Sequence, residues 1–126
     1  MASLSFWIFL RFWFPVFAYS GIIFWVSSWQ NLKAPLETYG FDKIVHGLEY
    51  LLFGLLLARA LLHSYSRFNR STLVTLVLVC SFLYGLSDEY HQSFVIGRTA
   101  DAFDLLADTI GGFIGGWIYL RYNTKA

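Results

Sequence analysis

Of 126 residues, 57% are hydrophobic, 21% aromatic and only 13% charged, against about a quarter charged in an ordinary soluble domain. A soluble domain of this size has too little interior to hide so much Phe, Trp and Leu; the composition excludes that class and points to lipid as the solvent. The formal net charge of +1, with no basic stripe, gives no footing for a nucleic-acid partner, and the single cysteine, Cys80, rules out a disulfide framework.

The chain begins without a basic residue before Arg11, and no small-x-small cleavage site follows before Trp29. The N-terminus therefore reads as a retained first span rather than a secretory signal. Between Arg11 and Lys33 lie 21 residues without a charge, and between Arg70 and Asp88 another 17; about 20 helical residues cross the hydrocarbon of a bilayer. The first span is predicted over about 12–27, with Pro15 and Gly21 as candidate kinks. Trp7, Trp13, Trp25 and Trp29 lie towards its ends, where aromatic belts sit. A loop follows that contains Pro35 and Gly40, with Lys33 and Glu37 as ordinary loop charges. The second span is predicted over about 44–62, the third over 72–86 and the fourth over 101–120. A basic connection holding His63, Arg67 and Arg70 joins the second to the third, and a polar segment, Ser87 to Arg98, joins the third to the fourth.

The expected fold is thus an all-α, polytopic, single-domain bundle of four transmembrane helices. Arg11, Arg59, Arg67, Arg70, Arg121 and Lys125 lie on one side, and only Lys33, Lys43 and Arg98 on the other. The positive-inside tendency then places both termini in the cytoplasm and the carboxylates at the outer face. Counting along the helices from the inner boundary puts Glu49 and Asp108 roughly 20 Å up a core of about 30 Å, and Asp88 roughly 27 Å up. Three helices bring acidic groups to one layer.

Spacing supports convergence. Asp42, His46, Glu49 and Phe53 advance by four, three and four residues and share one helical face; Asp101, Asp104, Asp108, Gly112 and Gly115 share another. Carboxylates do not face lipid, so both faces are expected to turn inward. Gly111, Gly112, Gly115 and Gly116 form a small-xxx-small pattern suited to close helix packing.

Phe41-Asp42-Lys43-Ile44-Val45-His46, Glu49-Tyr50-x-x-x-Gly54, Tyr84-Gly85-x-x-Asp88-Glu89-Tyr90-His91-Gln92-x-Phe94, Gly97-Arg98 and Asp101-x-x-Asp104-x-x-x-Asp108-x-x-Gly111 resemble the VanZ-like family of bacterial membrane proteins. The resemblance runs from about Phe41 to Gly116; the first span shares only its hydrophobicity. It implies a multi-pass protein of the bacterial inner (cytoplasmic) membrane, of a family linked through its namesake to tolerance of the glycopeptide antibiotic teicoplanin. It implies no defined activity.

Function therefore follows from the polar layer. His46, Asp88, His91, Asp104 and Asp108 are the candidate catalytic groups: the imidazoles exchange protons near neutral pH and the carboxylates orient them. Asp42, Lys43, Glu49, Glu89, Gln92, Arg98 and Asp101 are the candidate substrate contacts, with Lys43 and Arg98 clamping an anion. The layer holds enough N and O ligands for a metal, yet Asp88-Glu89-Tyr90-His91 is no standard zinc motif; no metal and no cofactor are assigned. The leading expectation is binding of an anionic cell-envelope lipid or lipid-linked precursor. A membrane-embedded hydrolase or transferase, a transporter that would need a homo-oligomer, and a salt-bridged cap that merely joins the helix ends are the alternatives.

Overall fold

The computed structural model describes residues 3–29 and 41–123, so Lys33, Pro35, Glu37, Gly40 and Lys125 lie outside the described residues. Four long helices, and no strand among the described residues, account for the fold: α1 (Leu4–Ser27), α2 (Phe41–Ser64), α3 (Arg70–Gln92) and α4 (Ala102–Tyr122). α1, α2 and α3 are long and apolar enough to cross a membrane.

Each helix outruns its predicted span. α1 starts at Leu4, capped by the Ser3 side chain, because the apolar run continues through Arg11. α3 runs on to Gln92, so Asp88, Glu89 and His91 lie inside it rather than in the connection behind it. The reason is packing: Leu73, Val77, Ser81, Gly85, Glu89 and Gln92 form one buried stripe at helical spacing, and the polar residues merely extend it. Only 93–100 is non-helical, with Gly97 at φ 81°, a left-handed conformation that glycine adopts without a Cβ penalty. α4 begins where Asp101 caps it, its carboxylate accepting from the Phe103 amide at 2.8 Å.

α1 is continuous α-helix through Gly21. The irregularity is a π-type turn over Phe9–Trp13, just before Pro15. Proline has no N–H to offer the carbonyl four residues back, which is that of Arg11, and the Arg59 guanidinium donates to it instead at 2.9 Å. The same Arg59 lies over the Phe12 ring, 4.7 Å from its centroid. Arg59→Met is therefore expected to lower stability in detergent by about 1 kcal/mol, read as a drop in melting temperature. The neighbouring Trp13 indole donates to Ser64 Oγ at 2.7 Å, and His63, exposed near the end of α2, stacks on Phe12.

α2 and α4 share the most extensive contact of any helix pair. Glycine makes it possible. A Cβ on Gly54 would collide with the Gly112 carbonyl, on Gly111 with the Gly47 carbonyl, and on Gly115 with the Leu51 carbonyl. His46–Asp108, Gly47–Gly111 and Leu51–Gly115 ascend together along both helices, so α2 and α4 are parallel and their acidic N-terminal turns lie side by side. α3 runs antiparallel along α4, with Val77 on Gly116, Ser81 on Gly112 and Gly85 on Asp108. α1 contributes few buried residues, Val16, Ile23 and Ser27, and turns Phe14, Phe17, Phe24 and Trp25 outward, as a lipid-facing helix does.

Candidate functional site

The parallel pairing of α2 and α4 places Asp42, Lys43 and His46 beside Asp101, Asp104 and Asp108, and the last turns of α3 close the third side. Seven of the chain's eight carboxylates (all but Glu37) belong to these helix ends.

Two subgroups divide the layer. In the first, the Lys43 ammonium is held by Asp42 at 2.6 Å, Asp101 at 2.8 Å and Asp104 at 2.7 Å. With all three donors of the ammonium directed at carboxylates, Lys43 joins α2 to α4.

In the second, His46 lies between two aspartates, with Nδ1 2.8 Å from Asp108 Oδ1 and Nε2 3.7 Å from Asp104 Oδ2. Asp104 and Asp108 are fully buried and His46 nearly so. From α3, Glu89 accepts the Asp101 amide through Oε2 at 2.9 Å, and Gln92 Nε2 donates to Asp88 at 3.2 Å. Their other acceptors are unsatisfied: Glu89 Oε1, Gln92 Oε1 and Asp108 Oδ2 are buried without a hydrogen-bond partner, as is the Tyr50 hydroxyl. Tyr50 was not among the predicted site residues, although it stands four positions after His46 on the same face; its spacing was the available signal.

Three predicted residues make no hydrogen bond to His46, although Glu49 interacts with it electrostatically. His91 turns to α1, its Nε2 2.9 Å from Ser28 Oγ and its ring stacked on Phe24; it is thus not brought to Asp108 as a second proton-transfer group. Glu49 is half-buried and gives its backbone carbonyl to the Tyr19 hydroxyl at 2.8 Å. Arg98, beyond the end of α3, makes no side-chain hydrogen bond or ion pair among the described residues, and its Nε is buried without a partner. It nevertheless interacts electrostatically with Glu49 and Asp88, so a cation stands at the edge of the layer with its hydrogen bonds unused.

A lateral groove of about 270 Å³ lies between α2 and α4, lined by Lys43, Gly47, Leu51, Ala107, Gly111 and Ile114 among others. It starts at the Lys43 subgroup and passes down the apolar flank of the helices. His46, Asp88 and Asp108 do not line it.

Comparison with known proteins agrees with this architecture. No solved structure matches the chain. An uncharacterized protein of Schizosaccharomyces pombe is 32% identical over 100 residues, which cover 79% of this chain and 59% of that protein; the chain thus spans less than two thirds of its relative's length. The model of the VanZ/LLP1 family matches residues 3–123, and so takes in the first helix that the motif resemblance left out. With its membrane-spanning helices and its inward-facing carboxylate layer, this chain belongs to the VanZ/LLP1 family.

Proposed function

We propose that the polar layer binds an anionic membrane lipid from the outer face, through Arg98. The observation that carries the reading is the contrast between the two cations. Lys43 is saturated by three carboxylates, whereas Arg98 keeps a buried Nε without a partner. A buried guanidinium N–H without a partner is costly, and the fork of donors fits a phosphate or carboxylate in bidentate fashion. The groove between α2 and α4 extends roughly 12 Å along α2 from Lys43 to Leu51 and offers a bed for part of an acyl chain.

In this reading all four helices span the membrane, both termini are cytoplasmic, and α4, too polar to qualify by hydropathy alone, is shielded by its neighbours. A bacterial inner-membrane location and a link to teicoplanin tolerance come from the family resemblance and belong to the proposal. The relative in Schizosaccharomyces pombe favours a ligand common to bacterial and yeast membranes, a glycerophospholipid, over a cell-wall precursor. A hydrolase or transferase acting on the same lipid is the second reading, favoured by the His46–Asp108 contact of 2.8 Å, the geometry of an oriented general base.

Titration of the purified protein with short-chain phosphatidylglycerol, with phosphatidylcholine as the neutral control, tests the proposal. Saturable binding of the anionic lipid is expected, weakened roughly tenfold or more in Arg98→Ala and partly restored in Arg98→Lys. Equal binding of both lipids, or an Arg98→Ala variant that binds as well as the parent, overturns it. Release of a headgroup during the titration, abolished in His46→Ala, would select the hydrolase.

A further inference from the structure

The two carboxylate subgroups differ in one respect that electrostatics makes decisive. The Asp42, Asp101 and Asp104 group surrounds a cation, the Lys43 ammonium. The His46, Glu89 and Asp108 group, buried at all three residues, has no lysine or arginine paired with it among the described residues: one ligand atom from each residue lies within 4.8 Å of the other two. Both carboxylates carry an oxygen that no donor reaches, Glu89 Oε1 and Asp108 Oδ2, with Glu89 95% and Asp108 fully removed from solvent. Asp108 Oδ2 lies against α3 at Gly85, where an added Cβ would come within 3.2 Å of it. The absence of a side chain at Gly85 keeps the space around this oxygen open. Buried acceptors ordinarily find a donor or a cation. Neither oxygen has one among the described residues, and the Tyr50 hydroxyl, which interacts electrostatically with Asp108, makes no hydrogen bond to it.

We infer that His46, Glu89 and Asp108 form a binding site for a divalent transition-metal cation of the zinc or manganese type. The donor set is one imidazole and two carboxylates, which such ions accept and which leaves a coordination position open. His46 Nδ1, already beside Asp108, is the ligating nitrogen. The opposite nitrogen, Nε2, then carries the proton and donates it towards Asp104 Oδ2, 3.7 Å away. A carboxylate behind a ligating histidine fixes the ring and raises its basicity, and Asp104 is itself anchored by Lys43. The chain Lys43, Asp104, His46 thus orients the imidazole towards the metal position. Side-chain rotation must shorten the present separations to reach bonds of about 2.0–2.2 Å. The ion neutralises the part of the layer that Lys43 does not, and the site stands or falls independently of lipid binding.

The full-length protein, purified in detergent and stripped with chelator, is dialysed against Zn²⁺, Mn²⁺ or Mg²⁺, and bound metal is measured by mass spectrometry alongside the melting temperature. About one Zn²⁺ or Mn²⁺ per chain is expected, with a higher melting temperature than in chelator. Glu89→Gln keeps an acceptor for the Asp101 amide and is expected to melt like the stripped parent, while binding the ion more than about 100-fold more weakly, beyond the 10–100-fold typical of groups that only orient a ligand. Asp88→Asn, which removes a neighbouring charge and no ligand, is expected to bind like the parent. The inference is overturned if the parent holds neither ion, if it prefers Mg²⁺, if Glu89→Gln binds as tightly as the parent, or if Asp88→Asn loses as much as Glu89→Gln. The parent's own metal content decides the matter even if a variant fails to fold.

Discussion

Gly54→Ala is expected to disrupt the bundle, with a loss of about 3 kcal/mol or more and little monodisperse protein recovered in detergent. The methyl group would enter the Gly112 carbonyl of α4, and backbone cannot rotate away as a flexible side chain does. The two helices would have to separate, taking with them the neighbouring Gly47–Gly111 and Leu51–Gly115 approaches. Gly21→Ala is the matched control. A Cβ there meets nothing within 4 Å, and alanine favours helix over glycine by up to about 1 kcal/mol, so this variant is expected to be neutral or more stable. Size-exclusion profiles and thermal melts of both variants test the pair; equal behaviour would mean that the glycine contact does not hold α2 to α4.

Lys43→Met is expected to cost about 2–3 kcal/mol, below the full cost of breaking a wholly buried ion pair because the lysine side chain is 34% exposed. Asp42, Asp101 and Asp104 would then face one another without the ammonium, one of them fully buried. The diagnostic is the double variant Lys43→Met, Asp104→Asn. Removing the buried charge along with its partner is expected to recover more than half of the loss, since the penalty of a broken pair resides mainly in the charge left behind. A double variant as unstable as the sum of the two singles would show that Lys43 and Asp104 do not interact. High salt is expected to matter little to Asp104 and more to the half-exposed Asp101.

Much of this layer is legible in the sequence, because helical spacing is a strong signal. Asp42, His46 and Tyr50 on α2, and Asp104, Asp108, Gly111 and Gly115 on α4, announce their inward faces through intervals of three and four. The small residues of α4 likewise declare a close approach, though not its partners; Gly47 and Gly54 stand seven apart on α2, and only the crossing geometry pairs them with Gly111 and Gly112. Partner choice between helices is what spacing does not encode. Lys43 and Arg98 look alike as isolated cations, and only the parallel arrangement of α2 and α4 gives one of them three carboxylates. The end of α3 is misread for a related reason. Asp88 and Glu89 look like the start of a solvated loop, but the stripe from Leu73 to Gln92 is continuous once α4 covers it. The inward faces of His46 and Asp108 are legible in the same way, but the place of Glu89 beside them is not, since it comes from a third helix and no local motif joins it to them.

The glycine-lined, carboxylate-bearing face of α4 has a consequence for how the protein is made. On the four-span reading this helix is translated after the other three, and neither its hydropathy nor its two buried aspartates favour release into lipid as a single rod. It must instead find α2 waiting, with Lys43 and His46 already positioned to receive those acids. The ribosome thus delivers the polar half of the layer only after its counterpart has entered the bilayer, and a chain truncated before Ala102 would leave Lys43 and Glu89 stranded at the membrane surface, a ready mark for quality-control proteolysis.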